Sequence, residues 1–133
     1  MTVTNYFSPS FGTRETLPNH SSDWTESEQI LVNIAVLCND SYINKEGKEV
    51  GDPTEVALIN FANKSNKNYQ DLREKYRREV ELPFDSDRKL MSTVHTFKES
   101  KLMLTKGGPD VMFSRASQVL IDGEEKELTD DML

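Results

Sequence analysis

The fold class is decided by the stretch Met91-Ser92-Thr93-Val94-His95-Thr96-Phe97-Lys98-Glu99-Ser100-Lys101-Leu102-Met103-Leu104-Thr105. Its outer segments, residues 91–97 and 101–105, alternate between apolar and polar residues with the period of two that is typical of half-buried strands. His95 is predicted to be a half-exposed residue of the first strand. Residues 98–100 form a tight polar turn, which allows the two strands to pair only in the antiparallel direction. The sequence therefore predicts an antiparallel β-hairpin.

Upstream of this hairpin, a first helix is predicted from its N-terminal signal. Thr25 and Glu28 have the spacing of a capping box, and the helix should end near Asn39-Asp40. Its predicted apolar face consists of Ile30, Leu31, Ile34 and Leu37. Cys38 is the only cysteine, so an internal disulfide is excluded. Its apolar neighbours favour a plain buried position over a reactive thiol.

Three further helices follow from capping and periodicity. The second has Asp52 as N-cap, Pro53 at its first position and Glu55 at its third, where Glu55 can complete a capping box. The apolar residues beyond are Val56, Leu58, Ile59, Phe61 and Ala62. The third covers residues 69–76, and its charges at positions 71, 73, 75 and 77 are predicted to face solvent. The fourth opens at Gly108 and extends to Ala116.

Shorter extended segments complete the pattern. Strands are predicted for residues 1–7, 80–82 and 118–121, and two short extended pieces flank a turn at residues 44–47. Asp122-Gly123 is a second turn, and Thr129-Asp130-Asp131 begins a last helix. Together these elements predict an α+β fold (α/β two-layer) in which an antiparallel β-sheet is flanked by helices.

Composition excludes several classes of protein. The 133 residues carry a formal net charge of −7, which argues against a nucleic-acid surface because such surfaces rely on clustered Lys and Arg. No apolar run approaches the ~20 residues that span a bilayer, so no direct membrane contact is expected. His20 and His95 are isolated, and no cluster has the spacing of metal ligands, so no metal site is expected. No catalytic residue can be assigned.

Three motifs carry most of the functional information. They are Gly51-Asp52-Pro53-Thr54-Glu55, Glu81-Leu82-Pro83-Phe84-Asp85-Ser86-Asp87-Arg88-Lys89-Leu90-Met91 and Lys106-Gly107-Gly108-Pro109-Asp110. In this order and spacing they resemble the nucleotide-binding (N) domain of type II P-type cation-transporting ATPases, and they are most similar to bacterial calcium-transporting pumps. The resemblance covers nearly the whole chain and implies a fold like that of the P-type ATPase N domain. The third motif is not a Walker loop, since it lacks the Gly-x-x-x-x-Gly-Lys order.

The resemblance implies an ATP-binding cytoplasmic domain that presents ATP to a separate phosphorylation domain of the same parent chain. ATP and ADP are the implied ligands, with Mg-ATP bound in the parent protein at the cytoplasmic face of the membrane. The phosphorylated Asp and the magnesium-binding motifs of the family are absent from these residues, so the isolated chain is not expected to hydrolyse ATP. Residues 1–22 are expected to be a hinge segment, and residues 23–133 a nucleotide-binding domain whose C-terminal part is truncated.

Five motif residues match positions of the family, and each has a physical reason for contact with a nucleotide. Phe84 matches the adenine-stacking Phe, and it follows Pro83 where a strand breaks; the ordinary alternative is a core Phe. Lys89 and Lys106 match two lysines that can act as point charges for phosphate, against the alternative of surface lysines. Gly107 and Gly108 lack a Cβ atom, which lets a ligand approach the backbone.

Two further residues of the first motif complete the implied site. Glu55 resembles a glutamate near the adenine amino group, from which a carboxylate can accept a hydrogen bond. This role and the capping-box role both stay open. Thr54 beside it could line the pocket. Ser86 stands where relatives often have a phosphate-contacting Arg, and Arg88 is expected to form a salt bridge rather than to contact the ligand.

A different class of function is compatible with the same fold. A non-enzymatic α/β protein-interaction domain could keep the scaffold and use one surface for a protein partner. The two hypotheses differ in whether ATP perturbs Phe84, Glu55 and Lys106 together.

Overall fold

The computed structural model describes residues 2–8, 12–64 and 68–129. The helices within these residues are α1 (Glu26–Leu37), α2 (Pro53–Asn63), α3 (Tyr69–Lys75) and α4 (Pro109–Arg115). The strands are β1 (Tyr6–Ser8), β2 (Gly12–Arg14), β3 (Tyr42–Ile43), β4 (Glu49–Val50), β5 (Val80–Asp85), β6 (Leu90–Phe97), β7 (Ser100–Gly107), β8 (Gln118–Ile121) and β9 (Glu124–Glu127). A 3-10 turn, Ser21–Asp23, precedes α1.

The three longest strands form the central sheet in the order β5-β6-β7, and both pairs are antiparallel. The predicted hairpin is confirmed, with Phe97 paired to Ser100 and only Lys98 and Glu99 in the turn. Lys98 has a φ of +58°, a left-handed conformation that two-residue hairpin turns favour. The remaining strands pair as three separate antiparallel hairpins, β1-β2, β3-β4 and β8-β9. The predicted α+β fold class is thereby confirmed.

The core lies between the central sheet and helices α1, α2 and α3. The three helices contact one another, and α1 also contacts β7. Buried apolar side chains form one cluster: Tyr6, Leu17, Trp24, Val32, Val36, Leu37, Cys38, Ile59, Phe61, Ala62, Tyr69, Leu72, Met91 and Leu104. Removal of these side chains from water is the main favourable contribution to folding. Since Tyr6 and Leu17 belong to the cluster, the segment before α1 packs on the same core.

The face that helix α1 turns to the core matches the predicted one only in part, because Leu37 is buried and Ile34 packs against the core as predicted. Ile30 and Leu31 are 40% and 37% exposed, although both were expected to be buried. The buried residues of this helix are Glu28, Val32, Ala35, Val36 and Leu37. Positions 28, 32, 35 and 36 follow the i, i+4, i+7, i+8 spacing of one helical face. The prediction missed this face because its first member is charged.

Glu28 tolerates burial because three polar groups donate to its carboxylate. It accepts the N–H of Thr25, which confirms the predicted capping box. The Tyr6 hydroxyl and the Arg14 guanidinium, with Nη1 3.1 Å from Oε2, also donate to it. Burial alone would raise the pKa of Glu28, but these donors outweigh it and hold the pKa below its usual value. Burial and this carboxylate together raise the pKa of Tyr6 to about 12.

The charge spacing of α3 predicted that Arg73 faces solvent. In the structure Arg73 instead packs against the end of α1. Its Nε, Nη1 and Nη2 atoms donate to the carbonyl oxygens of Val36 at 3.1 Å, Ser41 at 2.8 Å and Asn39 at 3.1 Å. Carbonyl groups at a helix end lack helical partners, so a guanidinium from another element can cap them. Burial lowers the pKa of Arg73.

The environment of His95 also differs from the prediction, which made this residue half-exposed. His95 is buried, with Nδ1 2.8 Å from the carbonyl oxygen of Tyr76 and Nε2 2.9 Å from Oγ1 of Thr93. His95 shares a face of β6 with Met91 and Phe97, which pack in or against the core. Alternation along a strand groups such residues but does not say whether the polar ones among them are covered. Cys38 is buried and free, as predicted, and burial raises the pKa of its thiol.

Elements near the two chain ends were predicted less well. Of the strand predicted over residues 1–7, only Tyr6 and Phe7 lie in β1, because β2 provides partners for Tyr6–Ser8 alone. Met1 lies outside the described residues. The turn at Asp122-Gly123 is confirmed, but β9 was missed because its residues are all charged. Most of the helix predicted at Thr129-Asp130-Asp131 lies outside the described residues, which end at position 129.

We expect Glu28→Gln to lower the free energy of unfolding by about 1.5–3 kcal/mol near neutral pH, because it weakens charge-assisted hydrogen bonds at a buried position. Folding lowers the pKa of Glu28, so this stabilisation is present above the unfolded-state pKa and is lost as the pH falls through the folded-state pKa. Urea unfolding at several pH values measures both effects. The difference from the parent protein should persist at mildly acidic pH and shrink only below the ordinary pKa of a glutamate.

Glu26→Gln is the matched control, since Glu26 is an exposed acidic residue of the same first helical turn. It should change the free energy of unfolding by no more than ~0.5 kcal/mol. Equal losses in the two variants would contradict a specific role for the Glu28 carboxylate.

Candidate functional site

One end of the central sheet brings together residues that are far apart in the sequence. There Asp85 of β5 pairs with Leu90 of β6, and Leu90 pairs in turn with Gly107 of β7. Neighbouring strands lie about 4.8 Å apart, so this row spans roughly 10 Å. The residues directly before its three members are Phe84, Lys89 and Lys106. The sheet register therefore gathers residues of the second and third motifs around one row.

Phe84 lies in a β-bulge of the edge strand β5. The register of β5 against β6 shifts between Leu82 and Asp85, and Pro83 and Phe84 occupy this irregular stretch. The strand was predicted to break at this point, but β5 instead bulges there and continues to Asp85. Phe84 is 64% exposed, so it is not the core residue that the ordinary alternative required. An exposed aromatic ring on irregular backbone is accessible to a planar ligand.

A tight turn follows Phe84 and leads to Lys89. Oδ1 of Asp85 accepts the N–H groups of Asp87 at 2.8 Å and Arg88 at 3.3 Å, which is the bonding of an Asx turn. Lys89 has a φ of +59° and donates its own N–H to the carbonyl oxygen of Asp85 at 2.6 Å. The turn thus leaves Lys89 exposed at the end of the sheet.

Arg88 bonds to backbone carbonyl groups instead of forming the predicted salt bridge. Its Nη2 atom donates to the carbonyl oxygens of Leu82 at 3.3 Å and Leu90 at 3.0 Å. Oδ1 of Asp85, three positions before Arg88, accepts backbone N–H groups of the turn. The prediction was wrong because it considered charges near in sequence and not the carbonyl groups of the flanking strands.

Glu55 and Lys106 form an ion pair that links α2 to β7. Nζ of Lys106 lies 2.6 Å from Oε2 of Glu55, with the two side chains 25% and 16% exposed. The same oxygen accepts the N–H of Asp40 at 2.9 Å. The predicted capping box is therefore wrong, because Asp52 caps α2 through the N–H of the exposed Thr54 while Glu55 turns to other elements. Partial burial strengthens this pair relative to one in water.

Asn39 and Asp40 hold Glu55 in place, although they were predicted only to end α1. The Asn39 amide donates from Nδ2 to the backbone carbonyl oxygens of Glu55 at 2.8 Å and Ala35 at 2.9 Å. Nη1 of Arg78 lies 2.7 Å from Oδ1 of Asp40. Burial would lower the pKa of Arg78, but the carboxylate partners outweigh it and raise the pKa. An Asn-Asp pair after a helix indicates that its side chains bond to nearby backbone groups. It does not indicate which distant residue these side chains also contact.

The two glycines of the third motif have different surroundings. A Cβ atom on Gly107 would clash with Cδ2 of Leu90 and lie 2.6 Å from the carbonyl oxygen of Lys89. The absence of a side chain there serves the close approach of β6 and β7. Gly108 is the N-cap of α4, where a Cβ would meet only the side-chain oxygen of Asp110, at 2.9 Å. The predicted reason, room for a ligand, is therefore not needed to explain Gly107.

The chemistry of this sheet end follows from the groups that it presents. An exposed aromatic ring, two ammonium groups and a carboxylate suit a planar ligand with an anionic part. Within residues 2–8, 12–64 and 68–129, no group of three or more His, Cys, Asp or Glu residues could hold a metal ion. In the same part of the chain, no helix is both long and apolar enough to cross a membrane.

Comparison with known proteins identifies the family. Residues 28–133 match the family described as P-type ATPase, cytoplasmic domain N. The chain is 63% identical to a calcium-transporting ATPase of Listeria monocytogenes over 133 residues, which are 100% of this chain and 15% of that protein. It is 49% identical to a calcium-transporting ATPase of Lactococcus lactis, covering 99% of this chain and 15% of that protein. A calcium-transporting ATPase of Bacillus cereus is 40% identical, with 98% of this chain and 14% of that protein covered.

The chain therefore belongs to the P-type ATPase cytoplasmic N-domain family, as the three motifs predicted. It spans about 15% of the length of the two most similar relatives named above. The fold also agrees with this assignment, because the described residues form an antiparallel sheet with helices packed on it.

We expect Gly107→Ala to lower the free energy of unfolding by about 1–3 kcal/mol, because the added methyl group meets backbone that cannot move without disturbing the β6–β7 pairing. Gly108→Ala is the matched control, because its new contact is a flexible side chain. That variant should stay within ~0.5 kcal/mol of the parent protein. Chemical denaturation of the two variants measures the difference, and similar stabilities would contradict the close approach at Gly107.

Proposed function

We propose that the chain is the ATP-binding cytoplasmic domain of a P-type cation pump and presents ATP to a separate phosphorylation domain. The observation that supports this best is the meeting of the three family motifs at one end of the sheet. Glu55 of the first motif touches Lys106 of the third, 51 positions away, and the second motif supplies the adjoining strands. Membership of the N-domain family adds independent support.

In this proposal the adenine base stacks on the exposed ring of Phe84, a contact worth ~1–3 kcal/mol. Glu55 accepts a hydrogen bond from the adenine amino group. The two contacts of its carboxylate described above both use Oε2, which leaves lone pairs of Oε1 for such a donor. Thr54 is exposed beside Glu55 and lines the same pocket.

The phosphate groups are held by Lys106 and Lys89 in the same proposal. A lysine ammonium has three N–H donors, so Lys106 can keep its bond to Glu55 and still donate to a phosphate oxygen. Lys89 is exposed at the same sheet end, one position before the residue that pairs with Gly107. Gly107 and Gly108 let the phosphate groups approach the backbone beside them. These local cations matter because the chain carries a net charge of −7 and would otherwise repel an anion.

At the level of the whole pump, we propose calcium as the transported ion, because the relatives named above are calcium-transporting ATPases. The domain then lies at the cytoplasmic face of the membrane, without direct contact to lipid or nucleic acid. ATP is bound as Mg-ATP in the parent protein, and the magnesium ligands belong to the phosphorylation domain. Residues 1–22 serve as the hinge segment, which packs through Tyr6 and Leu17 on the core of the nucleotide-binding domain formed by residues 23–133.

A protein-interaction domain is the second candidate, and one observation favours it. Apolar residues on the two outer strands of the sheet are exposed: Val80 by 53%, Leu82 by 43% and Met103 by 57%. Val80 and Met103 both pair with Val94, and Leu82 follows Val80 by two positions on the same strand. The side chains of Val80, Leu82 and Met103 therefore share one face of the sheet. Such a surface could bind a protein partner without any nucleotide.

An NMR titration with ATP separates the two candidates. We expect the amide signals of Phe84, Glu55 and Lys106 to shift together, with a dissociation constant in the high-micromolar to millimolar range. One stacked base and a few partly solvated charge-assisted bonds at ~1.5–3 kcal/mol each must overcome an association cost of 4 kcal/mol or more. Scattered or absent shifts would favour the interaction domain.

The same titration with variants tests which residue contacts the base and which contacts the phosphate groups. Phe84→Ala should weaken ATP, ADP and AMP by similar factors, because all three share the base. Lys106→Ala should weaken ATP more than AMP, because its ammonium acts on the phosphate groups. If a folded Phe84→Ala protein keeps full affinity for all three nucleotides, the base does not bind on this ring.

The chain by itself is expected to have no measurable ATPase activity. The phosphorylated Asp of the family is absent from its sequence, and nucleotide binding alone supplies no nucleophile. Phosphate release from ATP should stay at background after repeated purification. Turnover that survives purification and disappears in Lys106→Ala would contradict this expectation.

A further inference from the structure

The bulge that carries Phe84 is bridged by one side chain. Leu82 pairs with Ser92 and Asp85 pairs with Leu90, so Pro83 and Phe84 of β5 stand opposite a single residue of β6. A bulge of this kind interrupts the ladder of backbone hydrogen bonds. The carbonyl oxygens of Leu82 and Leu90 lie on opposite strands at its two ends, and Nη2 of Arg88 donates to both, at 3.3 and 3.0 Å.

The surrounding turn leaves the Arg88 guanidinium directed to these carbonyl groups. Asp85, an acidic residue of the same turn, uses Oδ1 for the backbone N–H groups of Asp87 and Arg88. Arg88 is itself partly buried, whereas Phe84 is largely exposed. A partly buried guanidinium that bonds two strands restrains the backbone between them, because moving that backbone would leave its N–H groups without acceptors.

We propose that Arg88 is a positioning residue for nucleotide binding, which holds the bulge in the geometry that presents the Phe84 ring to the base. This inference rests on the proposed function, because it takes Phe84 as the stacking residue. Arg88 acts through the backbone of Leu82 and Leu90 and does not contact the nucleotide. An alternative in which Arg88 binds phosphate directly predicts a different dependence on the ligand.

The test measures the affinity of the 133-residue chain for AMP, ADP and ATP by NMR titration after Arg88→Ala and Arg88→Gln. Arg77→Ala is the matched control, since it removes the same charge from an exposed position that precedes β5 and lies outside the bulge. We expect both Arg88 variants to weaken all three nucleotides by the same factor, roughly three- to tenfold, while Arg77→Ala changes affinity less than twofold. Arg88→Lys, whose ammonium can donate to more than one carbonyl oxygen, should recover part of the loss.

A double-mutant cycle tests whether the effect passes through Phe84. In a Phe84→Ala background, Arg88→Ala should cause no further loss of affinity. A loss that grows from AMP to ATP would show direct phosphate contact and overturn the proposal. An undiminished loss in the Phe84→Ala background would overturn it as well. If Phe84→Ala weakens binding but the Arg88 variants do not, the positioning role is wrong and the proposed function stands.

A second readout needs no nucleotide and checks the structural basis alone. The ring signals of Phe84 in an aromatic NMR spectrum should shift in Arg88→Ala and Arg88→Gln but not in Arg77→Ala. Amide signals of the helices serve as the control for global folding. Unchanged Phe84 signals in a folded Arg88→Ala protein would overturn the proposal even if no nucleotide bound to the parent chain.

Discussion

The antiparallel pairing of β6 with both of its neighbours is the constraint on which the candidate site depends. It sets Asp85, Leu90 and Gly107 in one row and so brings Phe84 and Lys106, from different strands, to the same end of the sheet. A shift of the β6–β7 register by one residue would turn the side chains of β7 to the opposite face. Lys106 would then point away from α2 and lose its contact with Glu55.

Polar contacts around the end of α1 connect this sheet to the helices. Arg73 and Arg78 donate to carbonyl oxygens there, and Asn39 joins the same segment to the backbone of Glu55. Each of these groups would be costly to bury without its partner. These hydrogen bonds therefore restrict how α1, α2 and β5 can pack. They also hold the Glu55 carboxylate within reach of Lys106 on β7.

Much of this organisation was predictable where its cause is local. The capping box of Thr25 and Glu28, the N-cap at Asp52 and the hairpin before β7 depend on residues that are neighbours in the chain. The motifs also indicated the family and the residues of the candidate site. Their grouping at one sheet end, and the support that Asn39 and Asp40 give to Glu55, depend on contacts between distant segments and were not visible in any motif.

The errors had the same origin, because side chains choose partners across the fold. Glu28 and His95 are buried because each has hydrogen-bond partners that compensate for the loss of water. Arg73 and Glu55 bond to groups of other elements and not to neighbours on their own helices. The sequence by itself determined most of the secondary-structure types and the antiparallel hairpin, because turn chemistry, capping and periodicity act within a few residues. The family was indicated by the resemblance of the three motifs. Tertiary structure alone decided which face of α1 is buried, where Glu55 points and why position 107 has no room for a side chain. Packing and the paired burial of polar groups require neighbours that only the folded chain supplies.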